Sequence, residues 1–246
     1  MSNFTPYTIL PKTSGSPVLC FCDHATNFVP KAFDNLGLSQ SDLNRHIGWD
    51  IGAANLTRQL CSAFGGTGLL AGFSRLLIDP NRDLDDRGLI SEISDGTKIP
   101  SNQDLSSNER QLRIAQYYEP YHQALENLID ETVNQFNDPL IISIHSFTTK
   151  PASGTRRELD IGILWKIDED NAVAVKDAIE RVHPYKIGLN EPYSALKLNH
   201  TMDQHVIPRG LRHITLEIRQ DLIDTDAGAT KMAEHLSQGL GSFIGG

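Results

Sequence analysis

Leu140-Ile-Ile-Ser-Ile-His145 is an apolar run, interrupted by one serine, that closes on a histidine. A run this short and this rich in isoleucine reads as a buried β-strand. Pro17-Val-Leu-Cys-Phe-Cys-Asp23-His24 repeats the arrangement, and His213-Ile-Thr-Leu-Glu217-Ile-Arg219-Gln220 places a glutamate near its finish. In an open α/β sheet, ligands collect outside the carboxyl ends of the strands. Two imidazoles and a carboxylate delivered to one such edge suit a divalent metal, because zinc takes neutral His nitrogens and carboxylate oxygens and keeps a position for water.

Outward from these strands, helical and extended patterns alternate. Val18 to Cys22 is the first predicted strand, with a short helix near Lys31 to Leu36. Asp50 opens a helical pattern that runs to Phe64 and stops at Gly65-Gly66. Gly68 to Leu77 is expected to hold strands at Leu69–Ala71 and Ser74–Ile78. From Asp79 to Asn108 the chain is polar, and a loop of that length is expected to be a mobile lid over a site. Glu109 to Phe136 is the longest helical pattern, with Leu112, Ala115, Tyr118, Leu125, Leu128, Ile129 and Val133 as its stripe and a break at Pro120. Strands at Asp160–Leu164, Lys186–Leu189 and Leu211–Ile218 and helices at Ala172–Val182 and Asp226–Leu240 complete the pattern. The alternation implies one α/β domain over residues 1–246 with a layered, largely parallel sheet.

Composition narrows the function classes. The 246 residues carry a formal charge of −9 and no basic run, which argues against nucleic acid or an anionic membrane as partner. No segment is apolar enough to cross a bilayer and the N-terminus lacks a signal-peptide pattern, so a cytoplasmic location is expected. Cys20, Cys22 and Cys61 suit a reducing compartment. Cys20 and Cys22, two apart in a strand, share one face and are expected to pack in the core.

His24 and His145 are the candidate metal ligands. Asp50 is the third by spacing, with Asp23 and Asn27 as competitors, although a carboxylate there also fits a plain helix N-cap. His46, His122, His183 and His235 lie in or beside helical patterns and read as surface or capping groups. Alternation places Glu217 on the face of Thr215 and Arg219, away from Ile214, Leu216 and Ile218. It could pair with Arg219, or act as a general base beside a metal. Arg75 and Arg82 have the planar fork that holds carboxylates, and could equally pair with Asp79 or Asp83.

Eight segments together resemble the N-formylglutamate amidohydrolase family. They are Cys22–Asn27, His46–Ala53, Ser74–Arg82, Tyr118–His122, Ile144–Phe147, Ile161–Trp165, Gly188–Tyr193 and Glu217–Leu222, in family order and spread over nearly the whole chain. The resemblance implies a fold related to zinc carboxypeptidases, a mixed sheet between helices, and hydrolysis of the amide bond of a small N-acyl amino acid such as N-formylglutamate. It implies zinc or another divalent metal on His24, Asp50 and His145, and Glu217 as the base. It places Arg75 and Arg82 on the substrate carboxylates, with Asn27 counted among the substrate-binding residues. One departure stands out: carboxypeptidase relatives carry His-x-x-Glu, and here the third residue after His24 is Asn27. Hydrolysis of another small amide or peptide, or non-catalytic binding of a small molecule, are the alternative functions. The sequence is compatible with a homo-oligomer and leaves that state open.

Overall fold

The computed structural model describes residues 4–244. Its strands are β1 (Tyr7–Leu10), β2 (Val18–Cys22), β3 (Thr67–Ala71), the short hairpin β4 (Ile93–Ser94) and β5 (Thr97–Lys98), β6 (Leu140–Phe147), β7 (Ile161–Leu164), β8 (Ile187–Leu189) and β9 (Arg212–Arg219). Its α-helices are α1 (Gln40–Leu43), α2 (Ala53–Phe64), α3 (Ser107–Arg113), α4 (Glu119–Gln135), α5 (Glu169–Val182), α6 (His200–His205) and α7 (Asp226–Leu240). Seven strands form one mixed sheet in the order β1-β3-β2-β6-β9-β7-β8. The central four, β3, β2, β6 and β9, are parallel to one another. Strand β1 is antiparallel to β3 and β7 is antiparallel to β9, while β8 follows β7 in parallel.

Strand alternation divides the core into two layers. Val18, Cys20 and Cys22 of β2, with Ile142 and Ile144 of β6 and Ile214, Leu216 and Ile218 of β9, pack beneath α2, α5 and α7. Leu19, Phe21 and Ile141 face the other way, toward α4 and the segments around it. Both layers exclude water, and on the second face polar groups begin midway along the strands, at Ser143 of β6 and Thr215 of β9. Cys20, Cys22 and Cys61 are free thiols inside the first layer.

Several local expectations are corrected. Strand β1 was not predicted; Tyr7-Thr-Ile-Leu is a half-exposed edge strand and lacks a continuous apolar run. The short helix expected near Lys31 to Leu36 is a 3-10 helix, Lys31–Gly37, interrupted by left-handed φ at Asp34, Asn35 and Leu36. Ser74 to Ile78 is no strand. Ser74 turns the chain by bonding the Leu76 amide, and Leu76, Leu77 and Ile78 are buried without a strand partner. The helical region does not break at Pro120: the backbone stays helical from Ser107 to Gln135, and Ile114–Tyr118 widens into a π turn just before the proline. Its buried face is Ile114, Tyr117, Tyr118, Tyr121, Leu125, Leu128 and Ile129, whereas Leu112 and Val133 are exposed.

The segment from Asp79 to Ser106 also differs from a free lid. It carries the β4–β5 hairpin and two residues sunk into the core, Leu89 and Ile99. Asn102, likewise buried, donates to the carbonyls of Leu76 and Ser91. Those anchors were hidden because each apolar residue stands alone among polar neighbours.

Candidate active site

The carboxyl ends of β2, β6 and β9 deliver the first side chains. Beyond Cys22 the chain turns through Asp23 and His24, both buried. On β6 and β9, register pairs Ser143 with Thr215 and His145 with Glu217. These four side chains share the face opposite the Ile142–Ile214 layer, so the apolar core passes into a polar site along the strands. Gly162 of β7 is the other neighbour of Glu217, and a Cβ there would lie 2.2 Å from the Glu191 carbonyl oxygen. A side chain at that position is excluded.

Asp50 arrives from a different element. Its amide donates to the His24 carbonyl at 2.9 Å, which ties it to the end of β2. The N-cap of α2 is Gly52, with φ of +81°, and a Cβ there would collide with the Ile223 carbonyl. The left-handed glycine lets the helix begin after Asp50, whose carboxylate is free to face inward. The capping role considered for Asp50 is thereby replaced.

Asp50 Oδ2 is the meeting point of the site. His145 Nδ1 lies 3.0 Å from it and His24 Nδ1 lies 3.3 Å from it. The Ser146 amide donates to the same oxygen at 3.3 Å. Ligand atoms of His24, Asp50 and His145 all lie within 4.8 Å of one another, and all three residues are buried. Each imidazole is held from behind. His24 Nε2 contacts Asp79 Oδ1 at 2.7 Å, and His145 Nε2 contacts Ser143 Oγ at 3.0 Å with Asp23 Oδ2 at 3.6 Å. Partners on the distal nitrogen fix the ring and leave Nδ1 directed at the shared position, as in metal-ligating histidines. Tyr121 donates to Asp23 Oδ1 at 2.8 Å, while Asp23 Oδ2 has no hydrogen-bond partner.

The local field favours positive charge. Burial and the Arg75 charge oppose protonation of His24, yet Asp79 and Asp50 raise its pKa to about 9. Burial likewise opposes protonation of His145, and its contact with Asp50 outweighs that. Asp50 and Asp79 stay ionised far below the usual carboxylate range: burial acts against them, and the imidazoles and Arg75 more than offset it. Glu217 differs. Burial, partly opposed by His145 and reinforced by Asp50, lifts its pKa to about 7. Its Oε2 has no hydrogen-bond partner.

These groups form the floor of a cavity of about 430 Å³, whose wall includes Arg75, Asn81, Arg82 and Tyr193. Arg75 bridges two carboxylates, Asp50 Oδ1 at 3.3 Å and Asp79 Oδ2 at 2.9 Å. Arg82 bonds Asp86 at 3.2 Å, its Nε lies 4.0 Å from Asp79 Oδ2, and it lines the cavity wall. The fold therefore brings His24, Asp50, His145, Glu217, Arg75 and Arg82 together. Asn27 is not among them: it donates to Asn44 Oδ1 at 2.8 Å, because the chain has already left the end of β2 along the outside of the cavity. Glu217 does not pair with Arg219, whose partners are Asp160 and Asp221. Sequence reasoning weighed Asp79 only as an arginine partner and missed its contact with His24. The same short segment supplies Arg75 and Arg82, and that proximity was the available signal. His122, read as a surface or capping group, is buried beneath the cavity wall.

The gene product Atu2144 from Agrobacterium tumefaciens has a similar structure, with a TM-score of 0.91 and 31% identity over 98% of this chain and 96% of that one. The N-formylglutamate amidohydrolase from Ralstonia eutropha JMP134 shares the fold at a TM-score of 0.71, with 23% identity over 98% of each chain. No curated protein matches the sequence. Residues 16–224, a span that holds every residue of the site, match the family described as N-formylglutamate amidohydrolase, and the chain belongs to that family.

Proposed function

We propose that this protein is a metal-dependent amidohydrolase that cleaves a small N-acyl amino acid, with N-formylglutamate as the reference substrate. The carrying observation is the convergence of His24 Nδ1 and His145 Nδ1 on Asp50 Oδ2 at the floor of a cavity that also presents Glu217 and two arginines. Family membership supports amide hydrolysis, and the donor set supports the metal. Two imidazoles and one carboxylate, each braced by a further group, suit zinc or a related divalent ion. When bound, such an ion supplies Lewis acidity toward the acyl carbonyl and toward water.

The protein's own groups do the rest. Glu217 takes a proton from the attacking water as the water oxygen bonds to the acyl carbon. The same carboxyl returns that proton to the departing nitrogen as the C–N bond breaks, releasing a carboxylate (formate, for a formyl group) and a free amino acid. Oε2 of Glu217, without a hydrogen-bond partner, is free for both roles. Arg75 is committed to Asp50 and Asp79 and holds those carboxylates in place. Arg82 bonds Asp86 and lies at a longer 4.0 Å from Asp79 Oδ2, which leaves it less committed than Arg75 and its fork freer for a substrate carboxylate. Asp79, Ser143 and Asp23 orient the imidazoles.

Turnover of zinc-loaded protein on a panel of N-formyl and N-acyl amino acids tests the reading. Hydrolysis of an acidic N-formyl amino acid in preference to a neutral one supports it. Absence of turnover across the panel at stoichiometric zinc overturns it.

A further inference from the structure

The Tyr118–His122 segment, one of the family blocks in the sequence, gives the chemistry above only the hydroxyl of Tyr121 on Asp23, yet it lies directly behind the cavity wall. His122 Nε2 donates to the Pro80 carbonyl at 3.0 Å, and Tyr118 Oη donates to the Arg82 carbonyl at 2.9 Å. Thr201 completes the hold, its amide donating to Asn81 Oδ1 at 3.0 Å and its hydroxyl to the Pro80 carbonyl at 3.4 Å. Four hydrogen bonds from two separate helical regions thus converge on three consecutive residues. Those residues continue from Asp79, the partner of His24, and end in Arg82, which faces the cavity.

The clamp is itself backed. His205 Nε2 donates to His122 Nδ1 at 2.8 Å, and His200 Nε2 lies 2.8 Å from Tyr118 Oη. The His122 and His205 rings are stacked, with centroids 5.1 Å apart. Burial holds His122 and His205 neutral, with pKa values lowered to about 3 and about 4. A neutral His122 that donates from Nε2 must accept at Nδ1, so the polarity of the chain from His205 through His122 to Pro80 is fixed. Both nitrogens of His122 are thus spent, one on His205 and one on the Pro80 carbonyl.

We propose that His122, supported by His205 and joined by Tyr118 and Thr201, is a positioning residue that holds the Pro80–Arg82 turn so that Arg82 meets the substrate carboxylate. The inference rests on the proposed role of Arg82 and adds to it the device that sets its geometry. Side chains that orient a substrate act only when their own backbone is held, so loosening the turn weakens binding more than it slows chemistry.

Hydrogen exchange and ligand binding together test this on zinc-loaded full-length protein. In His122→Leu the amides of Asn81 and Arg82 should exchange faster than in the unaltered chain. In His122→Gln, which keeps an N–H near the Pro80 carbonyl, protection should largely return. The calorimetric Kd for L-glutamate, the product end of the reference substrate, should rise about tenfold in His122→Leu, the size expected for one lost charge-assisted contact. It should rise no further when Arg82→Ala is added, and kcat on N-formylglutamate should move less than KM. Tyr118→Phe, which removes only the hydroxyl, provides a milder variant with the same expected direction should His122→Leu fold poorly. Unchanged exchange at residues 81–82 in both variants overturns the clamp. Faster exchange with unchanged Kd, or additive effects of His122→Leu and Arg82→Ala, overturns its link to binding. If Arg82→Ala alone leaves Kd unaltered, the assigned role of Arg82 fails and this inference falls with it; a normal Arg82 effect without a His122 effect sinks only the inference.

Discussion

His145 and Glu217 stand side by side as register partners on the parallel strands β6 and β9, both on the face that points away from the apolar layer under α2, α5 and α7. The sheet alone therefore fixes the spacing between a candidate ligand and a candidate base, and no loop motion is needed to bring them together. Side chains supported on adjacent strands are held more tightly than side chains on loops.

Removing one of the converging imidazoles should empty the metal position without unfolding the sheet. His145→Ala is expected to lose stoichiometric zinc, measured by elemental analysis, while denaturant unfolding stays cooperative. Full zinc occupancy in that variant would show that His24 Nδ1 and Asp50 Oδ2 bind metal with some other third group.

Glu217→Gln keeps the shape of the side chain and removes its basicity. Turnover should fall by roughly two to four orders of magnitude, the usual contribution of a general base, with zinc content unchanged. Near-normal turnover in the zinc-loaded variant would assign the proton transfer elsewhere.

The same substitution has a pH signature in zinc-free protein. Burial raises the folded-state pKa of Glu217 to about 7, above its ordinary value, so ionising it in the folded state costs free energy. That cost is absent below the unfolded pKa and grows until the pH passes the folded value. Glu217→Gln should therefore be more stable than the unaltered protein at pH 8, by up to about 3 kcal/mol, and nearly equal to it at pH 4. Urea unfolding of both proteins at the two pH values checks this; an equal difference at each would refute it.

His122 and His205 carry the opposite dependence. Their folded-state pKa values lie below the ordinary histidine range, so on acidification the unfolded chain takes up protons that the folded chain refuses. Stability is lost as pH falls from about 6.5 toward 4, by up to about 1.4 kcal/mol per pH unit for each group. In His122→Gln the fall between pH 7 and pH 5 should be shallower. Parallel slopes in the two proteins would mean that His122 contributes nothing to the acid limb.

Much of the site was legible because strand periodicity is local. Alternation within His213–Gln220 already separated Glu217 from Ile214, Leu216 and Ile218, and the apolar run before His145 marked its strand, which continues two residues further to Phe147. Sheet order is not local: nothing within β6 or β9 says that they are neighbours, so the His145–Glu217 pairing emerged only with the fold. Asp50 remained open between capping and ligation until Gly52 was seen to take the N-cap position. Ser74–Ile78 misled because a buried turn and a buried strand share the same composition. His122 misled although it falls in the buried stripe of Tyr118, Leu125 and Ile129, because its partners, Pro80 and His205, are distant in sequence.

Arg113 decides whether the Asp79–Ser106 segment is a scaffold or a lid. It is 1% exposed, and among the described residues no carboxylate lies within ion-pairing distance of it. Its guanidinium donates instead to the Leu77 carbonyl at 2.9 Å, Asn102 Oδ1 at 2.7 Å and the Ser101 carbonyl at 3.2 Å, and it lies over the Phe33 ring. Asn102 passes the hold on to Leu76 and Ser91. Replacing Arg113 by leucine would leave two buried acceptors, the Leu77 carbonyl and Asn102 Oδ1, without this donor, at a cost of about 2 kcal/mol or more, since each orphaned group costs about 1–3 kcal/mol. Arg113→Lys should recover little, because a single ammonium cannot span acceptors that the planar fork reaches together. Limited proteolysis should then cut between Asp79 and Ser106 in both variants and spare that segment in the unaltered protein. If the unaltered protein is cut there as readily as the variants, the segment is mobile despite Leu89 and Ile99, and its buried residues do not hold it in place.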